Sequence, residues 1–280
     1  MSNPKTIRMA ASAVLALFLS AAVFTGCGRD ANGPASSKKE TSDSANIEQE
    51  KSVPGATEYA NGLAAWEKKD YEEAAKCFRA AAEQGHTDAM VLYAMNCLGK
   101  GKGVEKDEDA ATDWLKKAAD AGNSTALVLY GNSLLSQDRK SEGLEYMKRS
   151  ADSGNVLGLY FLGGVYLEMT QKEKSLSFEC MKKAAEMPLT DKKSVIDCID
   201  GLSVAFGGDL DLDEKFNNNT NRIIVQAQYI VGSLYRSGEL PGGRNTDEAL
   251  KWMNKAKENG SSEAATYLKM IEMMQQNQGH

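Results

Sequence analysis

The segment that decides the fold is Ala111-Thr112-Asp113-Trp114-Leu115-Lys116-Lys117-Ala118-Ala119-Asp120-Ala121-Gly122. Within it, Ala111, Leu115 and Ala118 recur at helical spacing with polar residues between them, which predicts an amphipathic α-helix. Gly122 suits the end of that helix, because glycine adopts the positive φ of a helix C-cap at little cost.

Similar segments recur along the chain at a nearly constant interval. Their end positions are Gly85, Gly122, Gly154, Pro188, Ile223 and Gly260. The intervals between successive end positions are 37, 32, 34, 35 and 37 residues, a period that indicates repeats made of helix pairs. The copies that end at Pro188 and Ile223 are weaker, because they lack the final glycine.

Alignment on the end positions brings residues of one kind into the same column. The residue seven before each end position is large and apolar in every copy, and the residue nine after it is small in four of six copies. Two helices that pack closely need such a large column facing a small one. The large residues are Phe78, Leu115, Met147, Met181, Phe216 and Met253, and the small ones are Ala94, Gly131, Gly163 and Gly232.

These segments resemble the Sel1-like repeat, a relative of the tetratricopeptide repeat. The resemblance rests on Gly101-Lys102-Gly103-Val104, on the quoted helix and on the segments 158–166, 227–238 and 249–260, and it covers residues 57–276. It implies an all-α fold, a right-handed α-solenoid of about six helix-turn-helix repeats. Residues 189–222 are the weakest copy, with Asp197 and Ile223 where the repeat expects glycine, and we expect a distorted unit or an irregular loop at Gly207-Gly208.

The end of the chain predicts a C-terminal capping helix over residues 261–276. A solenoid needs a cap, so we expect Met270, Ile271, Met273 and Met274 to cover the last core layer. The alternative is that these flexible, polarizable side chains form a binding surface.

The N-terminus has the pattern of a targeting segment. Lys5 and Arg8 precede an uncharged apolar stretch that ends in Phe24-Thr25-Gly26-Cys27, and this pattern resembles the signal peptide and lipobox of an exported bacterial lipoprotein. We therefore expect residues 1–26 to be a signal peptide, residues 27–56 to be a lipidated Cys27 with a flexible polar tether, and residues 57–280 to be the repeat domain. The expected location is a bacterial membrane, on its periplasmic or cell-surface side. An ordinary signal peptide or an uncleaved anchor is the alternative.

Composition and motifs exclude several functional classes. The 280 residues carry a formal net charge of −6 and a pI near 5.2, which argues against a nucleic-acid partner. Asp209, Asp211 and Asp213 lack the glycine and glutamate of a calcium loop of the EF-hand type. No local catalytic signature occurs, and the two histidines, His86 and His280, suit no recognisable triad. We therefore expect no enzyme activity, no cofactor and no metal site.

Four cysteines besides Cys27 leave two alternatives open. Cys77 with Cys97, and Cys180 with Cys198, flank one helix turn each at similar depth, so disulfides are one alternative in an oxidising compartment. Buried free thiols are the other, and we favour them slightly, because Cys77 and Cys180 stand where the repeat has a packing tryptophan.

The resemblance also indicates a place for a partner. In tetratricopeptide-like solenoids the first helix of each pair lines a concave groove. The corresponding positions here are Val91, Val128, Tyr160 and Tyr229 in one column, Asn132 and Ser233 in a second, and Arg236 in a third. The leading hypothesis is a membrane-anchored, non-catalytic scaffold or adaptor of the cell envelope that binds a protein or peptide partner in this groove. The alternative is an envelope hydrolase or a cell-wall glycan-binding module.

Overall fold

A computed structural model of the chain describes residues 53–98, 103–199 and 218–278. These residues form eleven α-helices and one 3₁₀ helix, with no strand among them. The predicted all-α class is therefore confirmed. The predicted signal peptide, Cys27 and residues 27–52 of the tether lie outside the described residues.

The helices follow one another with short connections. The first group is α1 (Ala56–Glu67), α2 (Tyr71–Glu83), α3 (Thr87–Leu98), α4 (Glu108–Asp120), α5 (Ser124–Ser136) and α6 (Lys140–Asp152). The second group is α7 (Val156–Glu168), α8 (Gln171–Glu186), the 3₁₀ helix Val195–Cys198, α9 (Asn219–Ser237), α10 (Thr246–Glu258) and α11 (Ser262–Gln278). The chain divides at residues 111 and 112 into two compact units, here called the first unit (described residues up to Ala111) and the second unit (from Thr112 onward).

Short polar side chains begin most of these helices. Asn123, Asn155 and Asn245 each accept a hydrogen bond from the backbone N–H three residues later, at 2.9, 3.0 and 3.0 Å. Such an N-cap satisfies one of the donors that a helix start leaves without an intrahelical partner. At the other end, the repeat-ending glycines Gly85, Gly122, Gly154 and Gly260 all have positive φ, as the sequence predicted.

The first unit contains a pair built from α1 and α2. A side chain at Gly62 would place its Cβ 2.6 Å from the ring of Phe78, so only glycine lets the two helices approach this closely. The turn at Gly103 is equally restrictive, because φ is +84° and a Cβ would lie 2.1 Å from the carbonyl oxygen of Tyr71. The predicted glycine turn thus packs its backbone against the start of α2.

The second unit repeats the same packing. Helix α5 packs on α6, α7 on α8, and α9 on α10. At each contact a glycine of the first helix faces a buried methionine of the second: Gly131 with Met147, Gly163 with Met181, and Gly232 with Met253. The predicted pairing of small and large columns is therefore confirmed at these three places.

In the described part of residues 189–222 the chain does not form a regular helix pair, in line with the distortion expected for this weak copy. Where the first helix of this copy was expected, the structure has a four-residue 3₁₀ helix, Val195–Cys198. Helix α9 already begins at Asn219, so Ile223 lies inside a helix and is not the end of one. Asp197 stands in the small column, but its carboxylate accepts hydrogen bonds from the N–H groups of Ser194 and Thr220. Residues 200–217, with the expected loop at Gly207-Gly208 and with Asp209, Asp211 and Asp213, lie outside the described residues.

The segment between α8 and α9 is an insertion between two repeats that remain in contact. Helix α8 packs directly on α9, and the Nε2 of Gln228 donates to the carbonyl oxygen of Ala185 at 3.2 Å. The side chain of Asn259 donates in turn to the Oε1 of Gln228 at 2.9 Å. This buried amide network joins α8, α9 and the end of α10, and no feature of the repeat pattern predicted it.

Helix α11 confirms the predicted terminal helix but not the predicted role of its methionines. Ala264 and Leu268 close a buried cluster with Met253 and Ala256 of α10, so the first half of α11 caps this layer. Met270, Met273 and Met274 are exposed instead, because α11 continues beyond the last core contact. None of the described helices has the length and hydropathy that a membrane crossing requires.

Candidate interaction surface

The structure buries most of the residues that the sequence places in a groove. Val91, Val128, Asn132, Tyr160 and Ser233 are buried, whereas Tyr229 and Arg236 are half-buried. The physical reason is that α5 and α7 are apolar on nearly every side, and helices of that kind lie inside a fold. The binding of a partner along all seven positions stays a prediction.

Helix α9 carries the most distinctive part of this set. Gln226, Tyr229, Ser233 and Arg236 follow one another at intervals of three and four residues, so they share one face of the helix. Gln226 and Ser233 are only 5% and 1% exposed. Within the described part of the chain, neither the Oε1 of Gln226 nor the Oγ of Ser233 has a hydrogen-bond partner. We call these four residues the α9 face.

Two unsatisfied buried atoms on one helix face have a free-energy cost. Each buried polar atom without a partner destabilises a fold by roughly 1–3 kcal/mol. Native structures contain few such atoms, and an ordered water is one ordinary explanation of them. The accessible groups of the α9 face are therefore the side chains of Tyr229 and Arg236.

Aromatic and cationic groups lie on the α9 face and beside it. Tyr229 packs against the cluster formed by α10 and α11, and Tyr267 of α11 packs against the same cluster. The guanidinium of Arg236 lies over the ring of Tyr267, 5.1 Å from its centroid, in a cation–π contact. Tyrosine and arginine are the side chains that most often anchor protein partners, because they combine large contact area with polar groups.

Tyr160 has a different environment from Tyr229. Burial raises the pKa of Tyr160, and the nearby carboxylate of Glu263 raises it further. The phenol therefore stays neutral, and its ring is part of the core of the second unit. The Glu263 carboxylate accepts a hydrogen bond from the hydroxyl of Ser261 at 3.0 Å, which fixes it at the start of α11.

All four described cysteines carry free thiols, so neither the Cys77–Cys97 nor the Cys180–Cys198 disulfide is formed in this structure. Cys77 and Cys180 lie against glycines of the preceding helix, with Cβ atoms 3.3 Å from the ideal Cβ positions of Gly62 and Gly163. They act as small packing residues, and both are half-buried. Burial raises the pKa of Cys77, Cys97 and Cys180.

A surface cavity of about 510 Å³ lies in the first unit, lined by Tyr93, Cys97 and residues 104–110. The raised pKa of the Cys97 thiol disfavours the thiolate that nucleophilic chemistry needs. His86 lies apart from the residues that line this cavity, stacked on Tyr59 with 4.2 Å between centroids, and its Nδ1 accepts the N–H of Ala89. Across residues 53–98, 103–199 and 218–278, no group of three His, Cys, Asp or Glu residues could hold a metal ion.

Comparison with solved structures places this architecture among known helical repeats. A Sel1 repeat protein from Oxalobacter formigenes is similar at 20% identity and a TM-score of 0.55, over 80% of this chain and 57% of that one. The protein c5321, described as a protective antigen of uropathogenic Escherichia coli strains with an SLR fold, is similar at 24% identity and a TM-score of 0.43, over 80% of this chain and 50% of that one. The chain thus spans less than two thirds of either protein.

The search of curated proteins found no match. A family model described as the Sel1 repeat matches residues 55–86, 87–123, 126–155, 156–188 and 225–261. Four of the matches correspond to the packed pairs α1–α2, α5–α6, α7–α8 and α9–α10. The match at 87–123 contains α3 and α4, and the insertion lies between the last two matches. Because the five matches cover more than half of the chain, the protein belongs to the Sel1 repeat family.

Proposed function

We propose that this protein is a membrane-anchored, non-catalytic scaffold of the bacterial cell envelope that binds a protein or peptide partner through the α9 face. Sel1 repeat proteins are generally protein-interaction scaffolds and typically lack catalysis. The observation that carries the proposal for this chain is the α9 face itself, where Tyr229 and Arg236 are half-buried and Arg236 lies over the ring of Tyr267.

The α9 face suits a peptide more than a small molecule. The half-buried guanidinium of Arg236 can donate hydrogen bonds to an oxygen of a partner, whereas the Oε1 of Gln226 and the Oγ of Ser233 are buried. The nearby Tyr229 and Tyr267 rings offer apolar contact area. Contact with the Tyr229 ring and hydrogen bonds to Arg236 would supply the affinity for a peptide segment.

In-cell cross-linking followed by purification of the tagged full chain tests the partner. We expect one envelope protein in near-stoichiometric amount, and we expect Tyr229→Ala combined with Arg236→Ala to lose it. Tyr235→Ala is the matched control, because Tyr235 is also half-buried on α9 but packs against Phe178, 5.2 Å away between centroids. Retention of the partner by the double variant, or its equal loss in the control, would refute the assignment of this face.

The membrane anchor rests on the sequence around Cys27 and needs its own experiment. We expect the wild-type chain to sediment with membranes and to incorporate a radiolabelled fatty acid. Cys27→Ser should abolish the label. If the Cys27→Ser chain keeps the label, the lipid is attached elsewhere. If the wild-type chain never takes up the label, the apolar segment acts as an ordinary signal or an uncleaved anchor.

The alternative of a hydrolase or a glycan-binding module makes a different prediction. Under that alternative the full chain would sediment with purified cell wall in detergent, independently of Tyr229 and Arg236. The scaffold proposal predicts that the chain stays in the supernatant under those conditions.

A further inference from the structure

Helix α9 is positively charged along the surface to which a partner is assigned above. Its 19 residues include two charged side chains, Arg222 and Arg236, and no carboxylate. Both arginines are half-buried, whereas the chain as a whole has a formal net charge of −6. The α9 face therefore lies on a locally positive helix of an acidic protein.

The two arginines and Tyr229 lie along one line of the helix. Arg222, Tyr229 and Arg236 follow one another at intervals of seven residues, and seven residues at about 100° each fall only about 20° short of two full turns. At about 1.5 Å per residue, the Cα atoms of the two arginines are roughly 21 Å apart. This line places one aromatic side chain midway between two cations.

Arg236 is held in an orientation that suits a carboxylate. Its guanidinium lies over the ring of Tyr267, and Tyr267 is itself half-buried and packs against the cluster of α10 and α11. Stacking occupies a flat face of the guanidinium and leaves the N–H donors at its edge directed in the plane. Because these planar donors match the two oxygens of a carboxylate, little conformational entropy is lost when the two groups bind.

The number and spacing of these charges favour an acidic peptide over a nucleic acid. DNA-binding proteins typically make about 6–10 phosphate contacts, whereas α9 offers two cations. An extended peptide advances about 3.3 Å per residue, so acidic side chains about six positions apart would reach both arginines. An apolar side chain midway between them would contact the half-buried ring of Tyr229.

We propose that the partner of the α9 face is an acidic peptide segment, bound in extended form with one carboxylate on Arg236, a second on Arg222 and an apolar side chain on Tyr229. Opposite charge attracts such a segment to the α9 face and disfavours basic segments, because like charges repel. This inference rests on the proposed function, since it names the chemistry of the partner at the same site.

Selection from a random peptide library displayed on phage tests the proposal without the natural partner. The purified full chain should enrich peptides with two Asp or Glu residues about six positions apart and an apolar residue between them. Arg236→Glu should lose these peptides and select basic ones instead. Arg149→Glu is the matched control, because Arg149 also lies over a tyrosine ring, 5.2 Å from the centroid of Tyr146, but belongs to α6. It should select the same acidic peptides as wild type.

The selection also separates this inference from the proposed function. Wild type that enriches no acidic peptides, Arg236→Glu that selects the same peptides as wild type, or an equal change in Arg149→Glu would overturn the inference. Circular dichroism shows whether each variant is folded. A chain that captures an envelope protein in cells but selects peptides without acidic residues keeps the proposed function and loses only the acidic partner.

Fluorescence anisotropy of a selected peptide tests which charges pair. We expect Arg236→Gln to weaken binding about tenfold or more, because it removes one partner of a hydrogen-bonded charge pair. Neutralising the matching acidic residue of the peptide should weaken binding to wild type by a similar factor and should have little further effect on Arg236→Gln. The same cycle with Arg222→Gln and the second acidic residue tests the other end of the line. Independent, additive losses at both ends would overturn the proposed contacts.

Discussion

The helix pair α7–α8 and the insertion that follows it are neighbours in the chain but are held by different forces. In the pair, Gly163 allows Met181 to approach closely, and both residues are buried. In the insertion, Asp197 occupies the small column and binds backbone N–H groups instead. The difference shows that the repeat fold needs both columns, because a large side chain packs closely only where the facing residue is small.

The largest expected loss of stability comes from replacing a buried methionine that faces a glycine of the neighbouring helix. Met147→Ala should lower the free energy of unfolding by about 2–5 kcal/mol, because it leaves a cavity in a fully buried site. Met187→Ala, at the start of the insertion, should cost less than about 1 kcal/mol, since Met187 is half-buried. Urea unfolding followed by circular dichroism measures both. Equal losses would mean that the insertion is packed like a repeat.

Alanine substitution at two glycines on equivalent helices should change the free energy of unfolding in opposite directions. A Cβ at Gly131 would lie 2.8 Å from the carbonyl oxygen of Gly143, whereas a Cβ at Gly164 would meet nothing within 4 Å. We expect Gly131→Ala to destabilise by about 1–3 kcal/mol through overpacking. Gly164→Ala should stabilise by roughly 0.5–1 kcal/mol through helix propensity. Thermal unfolding of both variants against wild type checks the signs, and a gain for Gly131→Ala would contradict the close approach of α5 and α6.

Side-chain hydrogen bonds should contribute more to the free energy of unfolding in the insertion than in the helix pairs. Asn221 is buried, accepts the N–H of Thr190 at 2.9 Å and donates to its carbonyl oxygen at 2.8 Å. Asn221→Ala should therefore cost about 1–3 kcal/mol, because it leaves backbone groups unsatisfied. Asn254→Ala is the control, since Asn254 is exposed on α10, and its effect should stay within about 0.5 kcal/mol. Similar values for the two variants would show that Asn221 does not hold the insertion.

The smallest expected effect on stability comes from the thiols of Cys77 and Cys180, which lie in the helix pairs. Burial raises the pKa of Cys77 and Cys180, so the folded chain keeps these protons at a pH where the unfolded chain loses them. The stability from this difference is fully present below the ordinary thiol pKa of about 8.5 and declines as the pH rises above it. Iodoacetamide labelling at pH 8 should be slower in the native chain than in urea. Equal rates would show that the thiols are not buried in the pairs.

The sequence predicted the repeats well because their signal is local and recurs. The glycine ends, the Gly131–Met147 type of contact and the terminal helix all follow from columns that several copies share. The weak copy at 189–222 fits the repeat spacing, but spacing alone cannot tell a degenerate copy from an inserted segment of similar length. The hydrogen bonds of buried Gln228 join residues that are far apart in sequence, so a local sequence pattern cannot predict them.

The candidate site was predicted less completely than the fold. The resemblance selected Tyr229, Ser233 and Arg236, but it missed Gln226 and could not show which positions the packing would bury. The exposure of Met270, Met273 and Met274 depends on where α11 leaves the core, and this is a property of the folded chain rather than of the repeat pattern.

Site-specific photo-cross-linking in the producing cells tests the central claim most directly. A photoreactive phenylalanine analogue would replace Tyr229 in one strain and Tyr235 in another. We expect a discrete adduct with a second protein from position 229 and none from position 235. No adduct at position 229, or the same adducts from both positions, would contradict the assignment of the α9 face as the partner-binding surface.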